Sequence, residues 1–205
     1  MGLNSSRSVE IYISNNTQKI TLKNPRIYLY SGHSLKFPQP LVFPGSSSSW
    51  KFMNNSSFWG CNGVLAFEAE SFTLAIYFSN PIDYNRFPME MGLELSLDRV
   101  HRGHLEAAYD RLVTISRASS KGNFMFPFVI LKESQKQAQL STGLVKVTAT
   151  VSRGQNAVVR VQVEDQSNSG SEDRTETLFQ ARMSKSENLP VLWELMDSPR
   201  TTRIA

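Results

Sequence analysis

Apolar and polar positions alternate along most of this chain. Val9, Ile11 and Ile13 face one way and Glu10 and Tyr12 the other, the period of two of a half-buried strand. Asn15-Asn16 is turn chemistry, and Ile20-Thr21-Leu22 resumes a strand. Arg26–Tyr30 is β-rich until Ser31-Gly32-His33-Ser34 breaks it. Between Phe37 and Ser49, Pro38, Pro40, Pro44, Gly45 and a serine run predict a long connection, after which Trp50-Lys51-Phe52 opens a new strand. Gly63–Glu70 and Phe72–Phe78 are apolar runs meeting at Glu70-Ser71, which reads as an antiparallel hairpin. Asn80-Pro81 turns, and Met91–Leu97 returns to alternation.

One segment carries the other period. Val100, Leu105, Ala108, Tyr109 and Leu112 fall near helical spacing, predicting a helix over Arg99–Val113 with Asp98 as its N-cap. His101 and His104 would share a face of it as solvated or hydrogen-bonding histidines. Ser116–Asn123 reads as loop, and Phe124–Leu131, interrupted by Pro127, as an edge strand or irregular segment. Leu144–Val151 and Ala157–Val163 alternate about the turn Ser152–Asn156, a final hairpin. Many short strands and one amphipathic helix predict a mainly β fold, a β-sandwich with one or two flanking helices. The predicted organisation is a short N-terminal segment 1–8, a sandwich over 9–165, and a polar tail over 166–205. That tail is expected to be disordered up to Leu189–Met196, where Leu192, Trp193 and Met196 suit a short docking helix.

Composition narrows the function classes. A hydrophobic fraction of 40% supports a real core in 205 residues, and the mean hydropathy of −0.30 fits a soluble chain. No apolar stretch approaches the roughly 18 residues of a spanning helix, and no signal peptide is visible. The single cysteine, Cys61, excludes an intramolecular disulfide, and the three histidines lack the spacing of a metal cluster. Residues 1–163 carry 17 basic against 10 acidic side chains, whereas 164–205 carry 5 against 8. A basic body suits an anionic surface such as phospholipid or nucleic acid. No nucleophile elbow or P-loop appears, so the chain is not expected to be an enzyme, and no cofactor is implied. Glu68 and Glu70 share a strand face and read as solvated strand ends. Asn15 and Asn54 stand in glycosylation sequons. Met1-Gly2-Leu3-Asn4-Ser5-Ser6 fits the myristoylation pattern at Gly2, which would place the protein on the cytoplasmic side.

The stretch Leu74-Ala75-Ile76-Tyr77-Phe78-Ser79-Asn80-Pro81-Ile82-Asp83-Tyr84-Asn85 resembles the hallmark of the actinoporins, the sea anemone cytolysin family. Tyr28-Leu29-Tyr30-Ser31-Gly32, Gly60-Cys61-Asn62-Gly63-Val64-Leu65-Ala66 and the hairpin Val151–Val163 are similar to further family blocks in the same order. The resemblance covers residues 8–163. It implies a ten-stranded sandwich flanked by helices that recognises phosphocholine headgroups, favours sphingomyelin, and oligomerises into a cation-conducting pore. The implied partner is a phospholipid membrane with phosphocholine or anionic headgroups, with no nucleic acid. The implied state is a soluble form, cytoplasmic or released, that associates with membranes and forms a homo-oligomer there.

Position by position, Ser31 and Ser79 match family headgroup serines, Pro81 the family proline, and Tyr109 a helix tyrosine. Phe87 stands at a family tyrosine, and Tyr30 where the family often has arginine. Other positions depart from the pattern. Arg86 replaces a membrane-anchoring tryptophan, and Glu90 falls near a second. Ile82, Leu105 and Asp110 stand at family tyrosines, and Lys121-Gly122-Asn123 at its RGD tripeptide. So thinned an aromatic cage should hold choline weakly, while Arg86 favours phosphate. Met1–Ser8 would reach about 12 Å as a helix, short of a hydrocarbon core of roughly 30 Å, so family-type pore formation is not expected from it. The rival expectations are a carbohydrate-binding module like the fungal fruit-body lectins, and an intracellular interaction protein using the tail.

Overall fold

The computed structural model describes residues 6–36, 39–56, 58–117, 128–132 and 137–166. Gly2, the Lys121-Gly122-Asn123 tripeptide and the tail, with its expected helix at Leu189–Met196, lie outside them. The strands are β1 (Ser8–Asn15), β2 (Leu22–Ser31), β3 (His33–Lys36), β4 (Leu41–Val42), β5 (Ser46–Met53), β6 (Cys61–Glu68), β7 (Thr73–Asn80), β8 (Glu90–Ser96), β9 (Phe128–Lys132), β10 (Ala138–Ser141), β11 (Val145–Ser152) and β12 (Asn156–Asp165). A 3₁₀ turn, Val100–Arg102, and one α-helix, α1 (Leu105–Arg117), lie between β8 and β9. The strands form two six-stranded sheets, ordered β10-β11-β12-β1-β5-β3 and β4-β2-β6-β7-β8-β9. The β-sandwich predicted from the alternation is therefore the fold, with twelve strands among the described residues where the resemblance implied ten.

The first sheet shows the clean alternation of one buried face. Val9, Ile11 and Ile13 of β1 point inward and meet Ala157, Val159, Val161 and Val163 of β12 and Trp50 and Phe52 of β5. Aromatic pairs lock this face to the second sheet: Trp50 meets Phe67 edge-on at 4.9 Å, and Phe52 stacks on Phe78 at 4.9 Å. In the second sheet both faces are buried, which is why β6 and β7 read as unbroken apolar runs. Their second face carries Val64, Ala66, Ala75 and Tyr77, and α1 covers it with Leu105, Tyr109, Leu112 and Ile115. Ala66 and Ala75 are small enough for the helix to come close.

Several boundaries differ from the sequence reading, each for a local reason. The serine run Ser46–Ser49 is strand, because β5 pairs along β1, with Ser47 exposed and the Ser49 hydroxyl accepting from Lys36 Nζ at 2.9 Å. Gly32 does not end the strand region but carries the chain from one sheet to the other. Its φ is +118°, and a side chain there would press on the Met53 carbonyl. The predicted helix Arg99–Val113 begins later and runs further. Arg99 adopts a left-handed conformation (φ 57°), so Asp98 caps nothing, and the 3₁₀ turn closes at Gly103 before α1 starts at Leu105. His101 and His104 thus share no helical face: His101 is buried and His104 exposed. Glu68 is no solvated end either, since Arg102 Nε donates to its Oε2 at 2.9 Å. Both sequon asparagines are buried with their amides donated to carbonyls: Asn15 Nδ2 to Ile20 and Val42, Asn54 Nδ2 to Ser56 and Trp59. Neither nitrogen is open to a glycan in the folded chain.

Asn80 closes one end of the sandwich. Fully buried, its Nδ2 lies 2.9, 3.1 and 3.3 Å from the carbonyls of Ser8, Gly154 and Gln155, so β7 of one sheet is tied to β1 and the β11–β12 turn of the other. Asn80→Ala removes the donor those carbonyls share, leaving Gly154 the Tyr84 hydroxyl and Gln155 the Ser8 amide. Denaturant unfolding should show a loss of about 1–3 kcal/mol, with Asn16→Ala, an exposed neighbour of the buried Asn15, close to neutral.

Candidate functional site

Strand register gathers the predicted site residues at that same end. Ser31 of β2 pairs with Asn62 of β6, Asn62 with Ser79 of β7, and Ser79 with Glu90 of β8. In the first sheet, Ser8 opens β1 opposite Met53 and Asn156. The loops 54–60, 81–89 and 153–155 therefore cluster on one rim, joined by Asn80.

The loop 81–89 is held from within. Asp83 Oδ1 accepts the Asn85 amide at 2.9 Å, and its carbonyl accepts the Phe87 amide at 3.0 Å, a tight turn. The Tyr84 hydroxyl lies 2.6 Å from both Asn80 Oδ1 and the Gly154 carbonyl and donates its one proton to that pair. Pro81 is buried, and its carbonyl accepts Arg7 Nε at 2.9 Å. Arg86 and Phe87 project outward, Arg86 paired loosely with Asp83 at 3.5 Å. Ser31 spends its hydroxyl on the Gly60 carbonyl at 2.8 Å. Of the seven residues singled out from sequence, Pro81 and Ser31 thus build the rim, while Arg86 and Phe87 face solvent.

Tyr30 and Tyr109 are brought together. Their rings stack at 5.3 Å with 9° between planes, and Tyr28 and Tyr77 tilt against Tyr109 at 5.5 and 5.8 Å. Tyr109 is nearly enclosed, and burial pushes its phenol up to about 12; burial raises Tyr77 as well. The cluster is closed on itself, and Tyr30 is its most exposed member. Beside it lie Ser79, half-buried, and Asn62, whose buried Oδ1 has no hydrogen-bond partner. Burial also raises the Cys61 thiol to about 12, which keeps it protonated and inert at neutral pH.

Two residues that the sequence reading passed over dominate the rim. Phe58 is 87% and Trp59 63% exposed, alongside Tyr30 and Phe87 at 59% each. Their loop is firmly set: the Asn54 side chain bonds Arg7 N and the carbonyls of Ser56 and Trp59. Gly60 lies so close to β7 that a side chain would sit 2.5 Å from the Asn80 carbonyl. The available signal was an aromatic pair among turn residues, Asn54-Asn55-Ser56-Ser57-Phe58-Trp59-Gly60, where aromatics have no core to enter.

A buried polar network beneath α1 was also missed. His101 Nε2 meets Glu94 Oε1 at 2.9 Å, Thr73 Oγ1 meets His101 Nδ1 at 2.8 Å, and Arg111 of α1 donates to both oxygens of Glu94 at 2.5 and 3.0 Å. No group of three or more potential metal ligands occurs among the described residues, and none of their helices is long and apolar enough to cross a membrane.

No protein-family model and no curated protein sequence matches the chain. Among solved structures, the crystal structure of the lipid-binding protein Nakanori is similar, with a TM-score of 0.58 at 12% identity over 78% of this chain and 71% of that one. The Xerocomus chrysenteron lectin XCL follows with a TM-score of 0.44 at 9% identity, over 77% of this chain and 99% of that one. IP-1A from Alcaligenes faecalis gives 0.40 at 12% identity, over 78% and 92%. At 12% identity the likeness to Nakanori is one of fold.

Burial raises the Glu94 carboxyl, but hydrogen bonds and charge from His101 and Arg111 outweigh it and hold the group below its ordinary 4.5. A carboxyl so depressed stabilises the fold above pH 4.5 and loses that contribution as pH falls through the lower folded value. Glu94→Gln should therefore destabilise at neutral pH by about 3 kcal/mol and flatten the acid limb of a stability profile measured by denaturant unfolding.

Proposed function

We infer that this chain is a non-enzymatic, actinoporin-like protein that docks on phospholipid surfaces through the aromatic rim. The observation that carries the reading is the placement of Tyr30, Phe58, Trp59 and Phe87, all exposed, on braced segments at one end of a rigid sandwich. Aromatic rings sit well at the boundary of headgroups and hydrocarbon, being apolar with a polarisable face. The opposite end exposes Leu41, Phe43, Leu97 and Leu144, with a single ring among them. Behind the rim, the exposed ring of Tyr30 suits a choline ammonium, and the half-buried Ser79 suits a polar headgroup. The twelve-residue block ending in Asp83-Tyr84-Asn85 and the likeness to a lipid-binding protein of the same fold support the same reading.

Sedimentation with phospholipid vesicles tests it. The parent chain should pellet with vesicles. Phe58→Ser, Trp59→Ser and Phe87→Ser combined should weaken binding by more than tenfold, since each buried ring is worth about 1.5 kcal/mol or more and 1.4 kcal/mol is tenfold. A chain that ignores every vesicle but binds a glycan array, competed by free sugar, would replace this reading with a lectin. Release of an encapsulated dye from the same vesicles separates a pore former from a non-lytic binder.

A further inference from the structure

The rim carries a side chain of the type whose charge changes near neutral pH. The chain has three histidines. His101 is buried in the network beneath α1, and His104 is exposed just after the 3₁₀ turn, at the end of the sandwich away from the rim. His33 is exposed and opens β3 opposite Met53, the residue of β5 that faces Ser8, so it stands on the rim itself. Its Nδ1 lies 2.7 Å from Oδ1 of Asn55, in the loop that carries Phe58 and Trp59.

Asn55 settles which ring nitrogen holds the proton. Its Nδ2 donates to the Gly32 carbonyl at 3.3 Å, so Oδ1 is the atom turned to the imidazole. An amide oxygen only accepts, hence Nδ1 carries the hydrogen and Nε2 the lone pair. A second proton enters at Nε2 and leaves the bond to Asn55 in place. The ring therefore gains charge without rearranging the loop it touches.

Little around His33 offsets such a charge. No carboxylate stands within ion-pair distance of it among the described residues, and the loop 54–60 contains no charged residue. On β3 itself, Lys36 Nζ donates to Ser49 Oγ at 2.9 Å. On β5 the charge is Lys51, which faces Glu10 of β1 in register. Arg7, ahead of β1, gives its guanidinium to the Pro81 and Ile82 carbonyls, and Tyr30, at the end of β2, stacks on Tyr109. Burial of aromatic rings is indifferent to pH. A cation held at the same level is drawn to an anionic lipid surface over a screening length of about 8 Å at physiological salt.

We propose that His33 makes docking stronger in mild acid: protonated at Nε2, it places a cation at the base of the Phe58–Trp59 loop that favours negatively charged phospholipid headgroups. The proposal rests on the docking reading above and names a headgroup class and a regulator for that same rim.

The test sediments the full-length chain with vesicles of phosphatidylcholine alone and of phosphatidylcholine mixed with phosphatidylserine, at pH 7.5 and 5.5, with dichroism at each pH as the check on folding. These two pH values span the range in which imidazole charges. On mixed vesicles at low salt the affinity should rise by about fivefold at the lower pH, while on pure phosphatidylcholine it should stay level. His33→Gln should abolish the rise. His33→Lys, charged at both pH values, should bind mixed vesicles at pH 7.5 as tightly as the parent does at pH 5.5 and lose the pH dependence. His104→Gln, the exposed histidine at the other end, should keep the full rise. A rise that survives in His33→Gln, that is equal on pure phosphatidylcholine, or that is absent from the parent overturns the switch and leaves docking intact. No binding to either vesicle at either pH overturns docking itself.

Discussion

The architecture depends on one constraint: the central strands of the second sheet are apolar on both faces and must be covered on both. The first sheet covers one side through Trp50 on Phe67 and Phe52 on Phe78. Among the described residues α1 covers the other, and it is fastened as well as packed. Arg111 reaches down to Glu94, which is itself held by His101 from the 3₁₀ turn that precedes the helix. That anchorage fixes where Tyr109 lies, and Tyr109 in turn sets the stacking of Tyr30. A buried ion pair beneath the helix thus decides the position of an exposed ring at the rim.

The rim is rigid for a related reason. Each loop there spends its polar groups internally: Asn54 braces Phe58 and Trp59, Asp83 turns the segment before Phe87, and Asn80 with Tyr84 ties loop to loop across the two sheets. Exposed aromatics on a loose loop would be ordered only on contact, at an entropic cost. Here the ordering is done by the fold, so contact with a surface requires little rearrangement.

Much of the fold was legible in the sequence because burial writes its period into the chain. The hairpin β11–β12 follows from alternation about its turn and the hairpin β6–β7 from two apolar runs meeting at a turn, while β9 takes the edge-strand course, one of the two readings that Pro127 left open. Ser46–Ser49 was not legible, since its solvent face and hydroxyl-rich composition imitate a loop while backbone pairing with β1 makes it strand. The helix start was hidden by the left-handed Arg99, whose conformation no propensity signals. At the site, residue types were readable but orientation was not. Ser31 and Pro81 sit where the resemblance put them yet turn their polar groups inward, and Phe58 and Trp59 looked like ordinary apolar residues until their surroundings were known.

The place of β1 has a consequence for how the molecule is made. It lies between β5 and β12, antiparallel to the first and parallel to the second, the last of the described strands, with Ser8 opposite Asn156 and Asn15 opposite Val163. On a ribosome, β1 emerges before the other described strands and waits for more than a hundred and forty residues, from Ser8 to Asn156, before one flank finds its partner. Pairing over such a sequence separation is slow, because the loop must close before any contact rewards it. Until then Val9, Ile11 and Ile13 belong to an open apolar edge, the stretch of the nascent chain most in need of shelter from other chains.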